Sequence, residues 1–374
     1  MLLLAIAISL GACQKREAPR TPPTSPPPPK TSAAEPRTPP PLASYADVVE
    51  RAAPGVVTIR TERRVRPPRQ YPFSEDPLLR DFFGGAFGGA PAPRQKMLMA
   101  LGSGVIVQRD GTILTNYHVI DGAEQIQVEL TNHRVFKANV VGSDPPSDLA
   151  VLKIDAKDLD ALSLGNSDQV RVGDIALAIG NPLGLGQTVT AGIISAKGRA
   201  TGLSDGSFED FLQTDAPINQ GNSGGALINT RGELIGINSQ ILSTSGGNIG
   251  IGFAIPSNMA QNVLDQILEG GKVHRGQLGV SIQPMTPELA SKFGLSDVQG
   301  VLVNSVIPNG PAAKAGLRQG DVIVDFNGAA VTDGNTLRNH VASTAPGTKV
   351  NLGIFRDHQK QQIQATLGEY QPKA

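Results

Sequence analysis

Three short segments constrain this chain more than anything else in it: Thr115-Asn116-Tyr117-His118, Ser147-Asp148-Leu149-Ala150 and Gly221-Asn222-Ser223-Gly224-Gly225. They present a histidine, an aspartate and a serine in the chain order His…Asp…Ser. That is one of the orders in which a fold can deliver a nucleophile, its base and the carboxylate that orients the base. Each segment is weak alone. The three in order, each in a suitable local setting, are specific.

The settings follow from the neighbouring residues. Gly102–Val107 and Gly111–Asn116 read as two strands joined by Arg109-Asp110-Gly111, an Asp-Gly hairpin signal. His118 then falls just past a strand end, where a rigid sheet holds a functional loop residue. Asp148 opens the apolar run Asp148-Leu149-Ala150-Val151-Leu152-Lys153-Ile154, from which its carboxylate can accept a hydrogen bond from the inner nitrogen of His118 and select the tautomer. Ser223 lies among Gly221, Gly224 and Gly225, a backbone able to turn sharply and aim successive N–H groups at one point. His133, His274, His340 and His358 have no comparable setting and read as surface or core residues. The Gly-x-Ser-x-Gly pattern also occurs in nucleophile elbows, but those require the order Ser…Asp…His and an apolar strand before the serine. Here Pro217-Ile218-Asn219-Gln220 precedes it.

Composition narrows the class. Lys and Arg together balance Asp and Glu at 33 each, so no broad basic face for nucleic acid is expected. No metal-ligand spacing and no phosphate-binding loop is present, so no cofactor is expected. The 43 glycines, the β-branched runs and the hairpin turns point to a mainly β architecture, and the length to two or three domains.

At this point the chain resembles the HtrA (Deg-type) trypsin-like serine proteases with C-terminal PDZ domains. The resemblance is carried by Thr115–Ile120, Asp148–Ile154, Gly180-Asn181-Pro182-Leu183-Gly184, the long run Gln213–Leu227 and Gly250–Pro256, within about Tyr45 to Gly368. It implies a chymotrypsin-like double six-stranded β-barrel, with His118 as general base, Asp148 as its orienting carboxylate and Ser223 as nucleophile. The Gly221-Asn222-Ser223 backbone would form the oxyanion hole through the N–H groups of Gly221 and Ser223. Ile218 would wall the pocket for the residue before the cut, implying cleavage after small or medium aliphatic residues. Arg199, in Ala196-Lys197-Gly198-Arg199, matches an activation-loop arginine, and the aromatic Tyr45 a residue of the homotrimer contact. Two sub-readings stay open, a general degrader of misfolded envelope proteins and a signalling protease with one regulatory target. A chaperone or peptide-binding scaffold is the alternative from another class.

Residues Ser257–Glu269 form the clearest helical pattern, with Ser257 as cap, an apolar stripe of Val263, Leu264, Ile267 and Leu268, and Gly270-Gly271 as the stop. The expected protease domain is 45–270. A small α/β unit of 272–370 follows, in which Arg275-Gly276-Gln277-Leu278-Gly279-Val280 resembles a PDZ carboxylate-binding loop. A hydrophobic C-terminal peptide would add as a strand beside Leu278–Ile282, with a helix over Asn335–Val341 as the other wall.

The N-terminus carries separate information. Met1–Leu10 is too short an apolar run to span a bilayer and reads as an export signal over residues 1–12, although no Lys or Arg precedes it. Leu10-Gly11-Ala12-Cys13 resembles a lipoprotein processing box, which would make Cys13 the lipidated residue and Gln14 an outer-membrane sorting signal; a plain signal peptide beside an incidental cysteine is the other reading. Cys13 is the single cysteine, so no intrachain disulfide can form. Residues 13–44 read as a stalk, with 11 prolines between Gln14 and Leu42. Arg63–Met97, rich in Arg, Pro and Gly, is long enough to read as a functional or disordered loop.

Overall fold

Strands that are apolar at every position, not at every second one, need both faces covered, and this molecule covers them. The computed structural model describes residues 44–64, 97–181, 186–201, 208–241, 249–295 and 299–371. Six strands, β1 (Val56–Arg64), β2 (Met97–Gln108), β3 (Thr112–Asn116), β4 (Gln125–Glu129), β5 (Val135–Asp144) and β6 (Leu149–Ile154), close into a barrel in the order β1-β2-β3-β6-β5-β4. Six more, β7 (Ile175–Gly180), β8 (Thr188–Arg199), β9 (Phe211–Thr214), β10 (Ala226–Ile228), β11 (Leu234–Ile241) and β12 (Gly252–Pro256), close in the order β10-β11-β12-β9-β8-β7.

The period of two along a strand sorts the side chains. Ile113, Ala150 and Leu152 fill the first barrel, whereas their neighbours Leu114, Leu149 and Val151 join a core shared by both barrels. In the second barrel Ala176 and Ala178 face inward, and Leu177 and Ile179 face the shared core. The side chains that face out of both barrels meet in a continuous apolar layer between them, on which the loops of the site are fixed. Helix α1 (Ala46–Ala52) places Val48 and Ala52 in that layer.

The Asp-Gly hairpin forms as expected, with Gly111 at φ +92° where a Cβ would lie 2.5 Å from the Ile154 carbonyl. A one-turn helix, α2 (Tyr117–Ile120), follows β3, and helix α3 (Ser257–Gly270) follows β12. Two details of α3 differ from expectation. Ser257 does not cap it: Pro256 is the N-cap, and the Ser257 hydroxyl donates to the Gly165 carbonyl at 2.6 Å, tying the helix to the loop before β7. Leu268 is 42 % exposed and lies outside the apolar stripe, which Ala260, Val263, Leu264 and Ile267 bury in the shared core. Gly271 ends the helix in the left-handed region.

The C-terminal part is a smaller sheet domain. Strands β14 (Val280–Pro284), β15 (Val301–Val306), β16 (Val322–Phe326), β18 (Lys349–Arg356) and β19 (Gln359–Thr366) lie in that order, β17 (Ala329–Ala330) pairs β16, and β13 (Gly276–Gln277) pairs β20 (Gly368–Glu369). Helices α4 (Pro287–Phe293), α5 (Pro311–Lys314) and α6 (Gly334–Ser343) complete it. Asp333 caps α6 by accepting from the Thr336 N–H at 2.8 Å. No helix among the described residues is long and apolar enough to cross a membrane.

Candidate active site

His118, Asp148 and Ser223 gather where the two barrels join, Asp148 bonded to His118 and Ser239 bonded to both Asp148 and the Ser223 hydroxyl. Asp148 does not begin β6. It stands one residue earlier, at φ +54° and ψ +41°, as the C-cap of a 3-10 turn over Pro145–Ser147. Left-handed geometry is tolerated by aspartate when its carboxylate bonds locally, and here it is surrounded by donors. The His118 N–H donates to Oδ1 at 3.0 Å, and His118 Nδ1 lies 3.0 Å from Oδ1 and 2.8 Å from Oδ2. The Ser239 hydroxyl donates to Oδ2 at 3.0 Å. A carboxylate only accepts, so Nδ1 carries the proton in a neutral ring and Nε2 is its basic nitrogen. The backbone is held as well: the Asp148 carbonyl accepts from Asn116 Nδ2 at 3.0 Å and from the Tyr117 N–H at 3.1 Å.

Ser223 is held by close approach of main chains. Gly221 and Gly224 have φ of +96° and +81°. A Cβ on Gly224 would lie 2.1 Å from the Ser103 carbonyl oxygen, and one on Gly225 2.3 Å from the Ile179 carbonyl oxygen. The loop is therefore wedged between β2 of one barrel and β7 of the other, at positions only glycine can fill. Asn238 clamps it from β11, accepting from Gly224 N–H at 2.8 Å and donating its own N–H to the Gly225 carbonyl at 2.9 Å. The Ser223 hydroxyl donates to the Ser239 carbonyl at 2.9 Å. Passing that proton to an imidazole requires rotation of the side chain away from Ser239.

Ile218 is buried inside the second barrel with Ala216, Leu227 and Ala254, its side chain filling the space over Gly252, where a Cβ would be 2.9 Å from Ile218 Cδ1. Arg199 is exposed at the end of β8, opposite Phe211 of β9. Gln277, Leu278, Gly279 and Val280 form the turn into β14: Leu278 is buried in the sheet-domain core, Gly279 has φ +79°, and the carbonyls of Leu278 and Gly279 accept from Ala312 and Ile307 N–H at 2.9 Å each. Among the described residues β14 pairs only with β15 and so presents an edge beside α6. Cys13 and most of the Arg63–Met97 loop lie outside the described residues.

Arg275 departs from the sequence reading, which grouped it with the peptide-binding turn. Its guanidinium is buried and pairs through both terminal nitrogens with the two carboxylate oxygens of Asp144, at the end of β5 in the first barrel. It also stacks 4.6 Å above the Phe208 ring, which meets Tyr370 edge-on at 5.5 Å. The Arg-Gly step explains this: Gly276 runs so close to the Val341 and Thr344 carbonyls that a Cβ would lie 2.4 Å and 2.6 Å from them, leaving the preceding side chain to point toward the barrels. Asp144 also accepts from the N–H and hydroxyl of Ser147, so it caps the turn that ends in Asp148. On the other side of the same seam, Asn335 and Asn339 of α6 each donate to the Glu209 carbonyl at 2.7 Å.

Sequence reasoning missed Ser239, Ser103 and the seam residues. Ser239 sits in an ordinary strand sequence with no local signal. It becomes visible only when β11 is laid across the mouth of the first barrel.

Two barrels of six strands with a histidine, aspartate and serine at their junction, followed by a sheet domain with an open edge, define a serine endopeptidase of the trypsin-like class with a peptide-binding module. Residues 102–237 match the trypsin-like peptidase domain and residues 276–367 the PDZ domain. Escherichia coli DegP, a periplasmic serine endoprotease, is 43% identical over 389 residues, 98% of this chain and 79% of that one. A probable periplasmic serine protease of Haemophilus influenzae is 44% identical, covering 87% of this chain and 71% of that one. Among solved structures, the HtrA-type protease AlgW with a decapeptide superposes with a TM-score of 0.69 at 48% identity, covering 88% of this chain and 100% of that one. The chain belongs to the DegP/HtrA family of serine endoproteases.

Proposed function

We propose that His118, Asp148 and Ser223 hydrolyse peptide bonds as a triad, and that the sheet domain tunes them in response to a C-terminal peptide. The observation that carries the triad is the bonding of Asp148 to both the ring and the backbone N–H of His118. That arrangement leaves a basic Nε2 to take the Ser223 proton as Oγ attacks the scissile carbonyl. The Asp148 carboxylate then stabilises the imidazolium, which protonates the departing amine. Water repeats the cycle on the acyl-enzyme. The Gly221 and Ser223 N–H groups stabilise the oxyanion, since donors fixed beforehand need no reorganisation as charge develops. Ile218 over Gly252 limits the specificity pocket to small or medium aliphatic side chains.

A hydrophobic C-terminus joins the edge of β14, its carboxylate at the Gln277–Val280 turn and its last side chain among Val280, Ile282, Leu337 and Val341. Arg199 relays occupancy to the Gly221 N–H, and the shift cannot exceed the peptide's differential affinity for the two states. The relatives' periplasmic location supports a periplasmic enzyme, with Cys13 as lipid anchor in the outer membrane and a homotrimer involving Tyr45. Its substrates are unfolded or regulatory envelope proteins.

The test is digestion of unfolded casein by the parent and by Ser223→Ala, with peptide titrated into both the parent and Arg199→Ala. Casein fragments from the parent alone, and stimulation lost in Arg199→Ala with peptide binding retained, are the expected results. Casein cleavage by Ser223→Ala would overturn the triad; equal stimulation of Arg199→Ala would overturn the relay.

A further inference from the structure

One fully buried hydroxyl group touches the nucleophile loop from the opposite barrel. Ser103 on β2 is 0 % exposed and makes four hydrogen bonds. Its N–H donates to the Ser223 carbonyl at 2.8 Å, and its own carbonyl accepts from Thr115 Oγ1 at 2.7 Å. Its hydroxyl accepts from the Asn181 N–H at 2.9 Å and donates to the Gly221 carbonyl at 2.6 Å. The Gly221 carbonyl can only accept and the Asn181 N–H can only donate, so the single hydroxyl proton points to Gly221 and the direction of both bonds is settled.

We infer that Ser103 is a positioning residue for peptide-bond hydrolysis: by holding the Gly221 and Ser223 carbonyls together, it fixes the Asn222–Ser223 peptide whose N–H faces the oxyanion. The geometry is that of a peptide plane pinned at both flanks. The Gly221–Asn222 plane is set by Ser103 Oγ on its carbonyl, and by Asn222 N–H donating to the Asn219 carbonyl at 2.9 Å on its other side. The Ser223–Gly224 plane is set by Ser103 N–H and by Gly224 N–H on Asn238. The intervening plane, whose Asn222 carbonyl accepts from the Gly225 N–H at 2.9 Å, is seated between two flanks that Ser103 ties to the first barrel. The loop's internal bonds, Asn222 N–H to Asn219 and Gly225 N–H to Asn222, set its shape, and the two bonds from Ser103 set where that shape sits against the first barrel, which glycine at 221, at φ +96°, cannot do by packing.

The inference rests on Ser223 being the nucleophile, and the experiment separates the two. Parent, Ser103→Ala and the near-isosteric Ser103→Cys are compared by melting temperature, by kcat and KM on a chromogenic peptide, and by the rate of labelling with a fluorophosphonate, which needs both the serine and the oxyanion donors. Losing an oxyanion donor outright costs about 10²–10³ in kcat; loosening one should cost on the order of tenfold. The expected result is a parallel fall in kcat and labelling rate with KM nearly unchanged, in protein still folded at the assay temperature, Ser103→Cys falling less. Labelling and kcat within about twofold of the parent, or a change in KM alone, would overturn the inference. If Ser103→Ala melts too low to assay, Ser103→Cys decides by the same criteria. A parent that is not labelled at Ser223 would instead refute the triad.

Discussion

The two halves of the active site are fixed by opposite means. On the His118–Asp148 side the restraint is an excess of side-chain and backbone donors around one carboxylate. On the Ser223 side it is the lack of side chains, with Gly224 and Gly225 packed against carbonyls of both barrels. A donor network tolerates the loss of one member because the others remain. Close packing of main chains does not, since a single added methyl has nowhere to go. Substitutions of similar size should therefore have very different costs on the two sides.

The largest effects come from the reacting groups themselves. Ser223→Ala should lower turnover by about 10⁶, and Asp148→Asn by about 10⁴, because the amide offers a donor and favours the wrong tautomer. Both are read by peptide cleavage at equal melting temperature. If Asp148→Asn kept most of its activity, the donor network would be structural only.

Gly224→Ala tests the other half without touching a reacting group. The φ of +81° costs about 1–2 kcal/mol for a residue with a Cβ. Displacing the Ser103 carbonyl, 2.1 Å from that Cβ, adds about 1–3 kcal/mol of overpacking. A drop of about 3 kcal/mol in unfolding free energy is expected by denaturant titration, with activity lost alongside it. Unchanged stability would show that the loop is looser than its contacts suggest.

Arg275→Ala asks how far the carboxylate side extends. Asp144 would be left buried with only Ser147 for company, and removing one partner of such a pair costs about 3–5 kcal/mol when the charge stays in place. Here the sheet domain can swing away and let water reach Asp144, so part of that cost should appear as domain release. Small-angle scattering should show a more extended particle, and hydrogen exchange should rise at Pro145–Asp148. A particle of unchanged size and protection would mean that the Asn335 and Asn339 bonds to Glu209 hold the seam alone. The contrast with Arg356 is instructive. That arginine makes a similar forked pair with Asp321, 2.6 Å and 2.7 Å, but inside the sheet domain, so its loss should lower the stability of that domain without moving it.

The residues proposed to react were legible because catalysis demands particular residue types and because glycine is required where Cβ atoms would collide. His118, Asp148, Gly221 and Ser223 therefore announce themselves in short motifs. The pair of closed barrels was implied only by the family resemblance, whereas the mainly β class was legible from the glycines, β-branched runs and hairpin turns. Ser103, Ser239 and Arg275 were not, for one shared reason: each acts on a residue distant in sequence, and serine or arginine in a strand or turn is compatible with many environments. Arg275 was misplaced because the Arg-Gly-x-Leu-Gly pattern records the backbone path of a peptide-binding turn but not the direction of its first side chain. Leu268 shows the same limit on a helix, where periodicity marks a stripe but not its edge.

The smallest effect should come from Ser239→Ala. Its hydroxyl supplies one of the donors to Asp148, and its loss leaves the His118 N–H and Nδ1 in place. A hydrogen bond to a charged group contributes about 1.5–3 kcal/mol, and the vacated site lies beside a carboxylate that is only partly buried, so water can replace the hydroxyl and recover part of it. The Ser239 carbonyl that accepts the Ser223 hydroxyl belongs to the backbone and is unaffected. Turnover should fall by about tenfold, with KM and melting temperature nearly unchanged. A fall as large as that of Asp148→Asn would mean that the network is no more tolerant than the glycine loop, and the contrast between the two halves would be lost. Activity equal to the parent would sharpen it, assigning the orientation of Asp148 to His118 and the left-handed backbone alone.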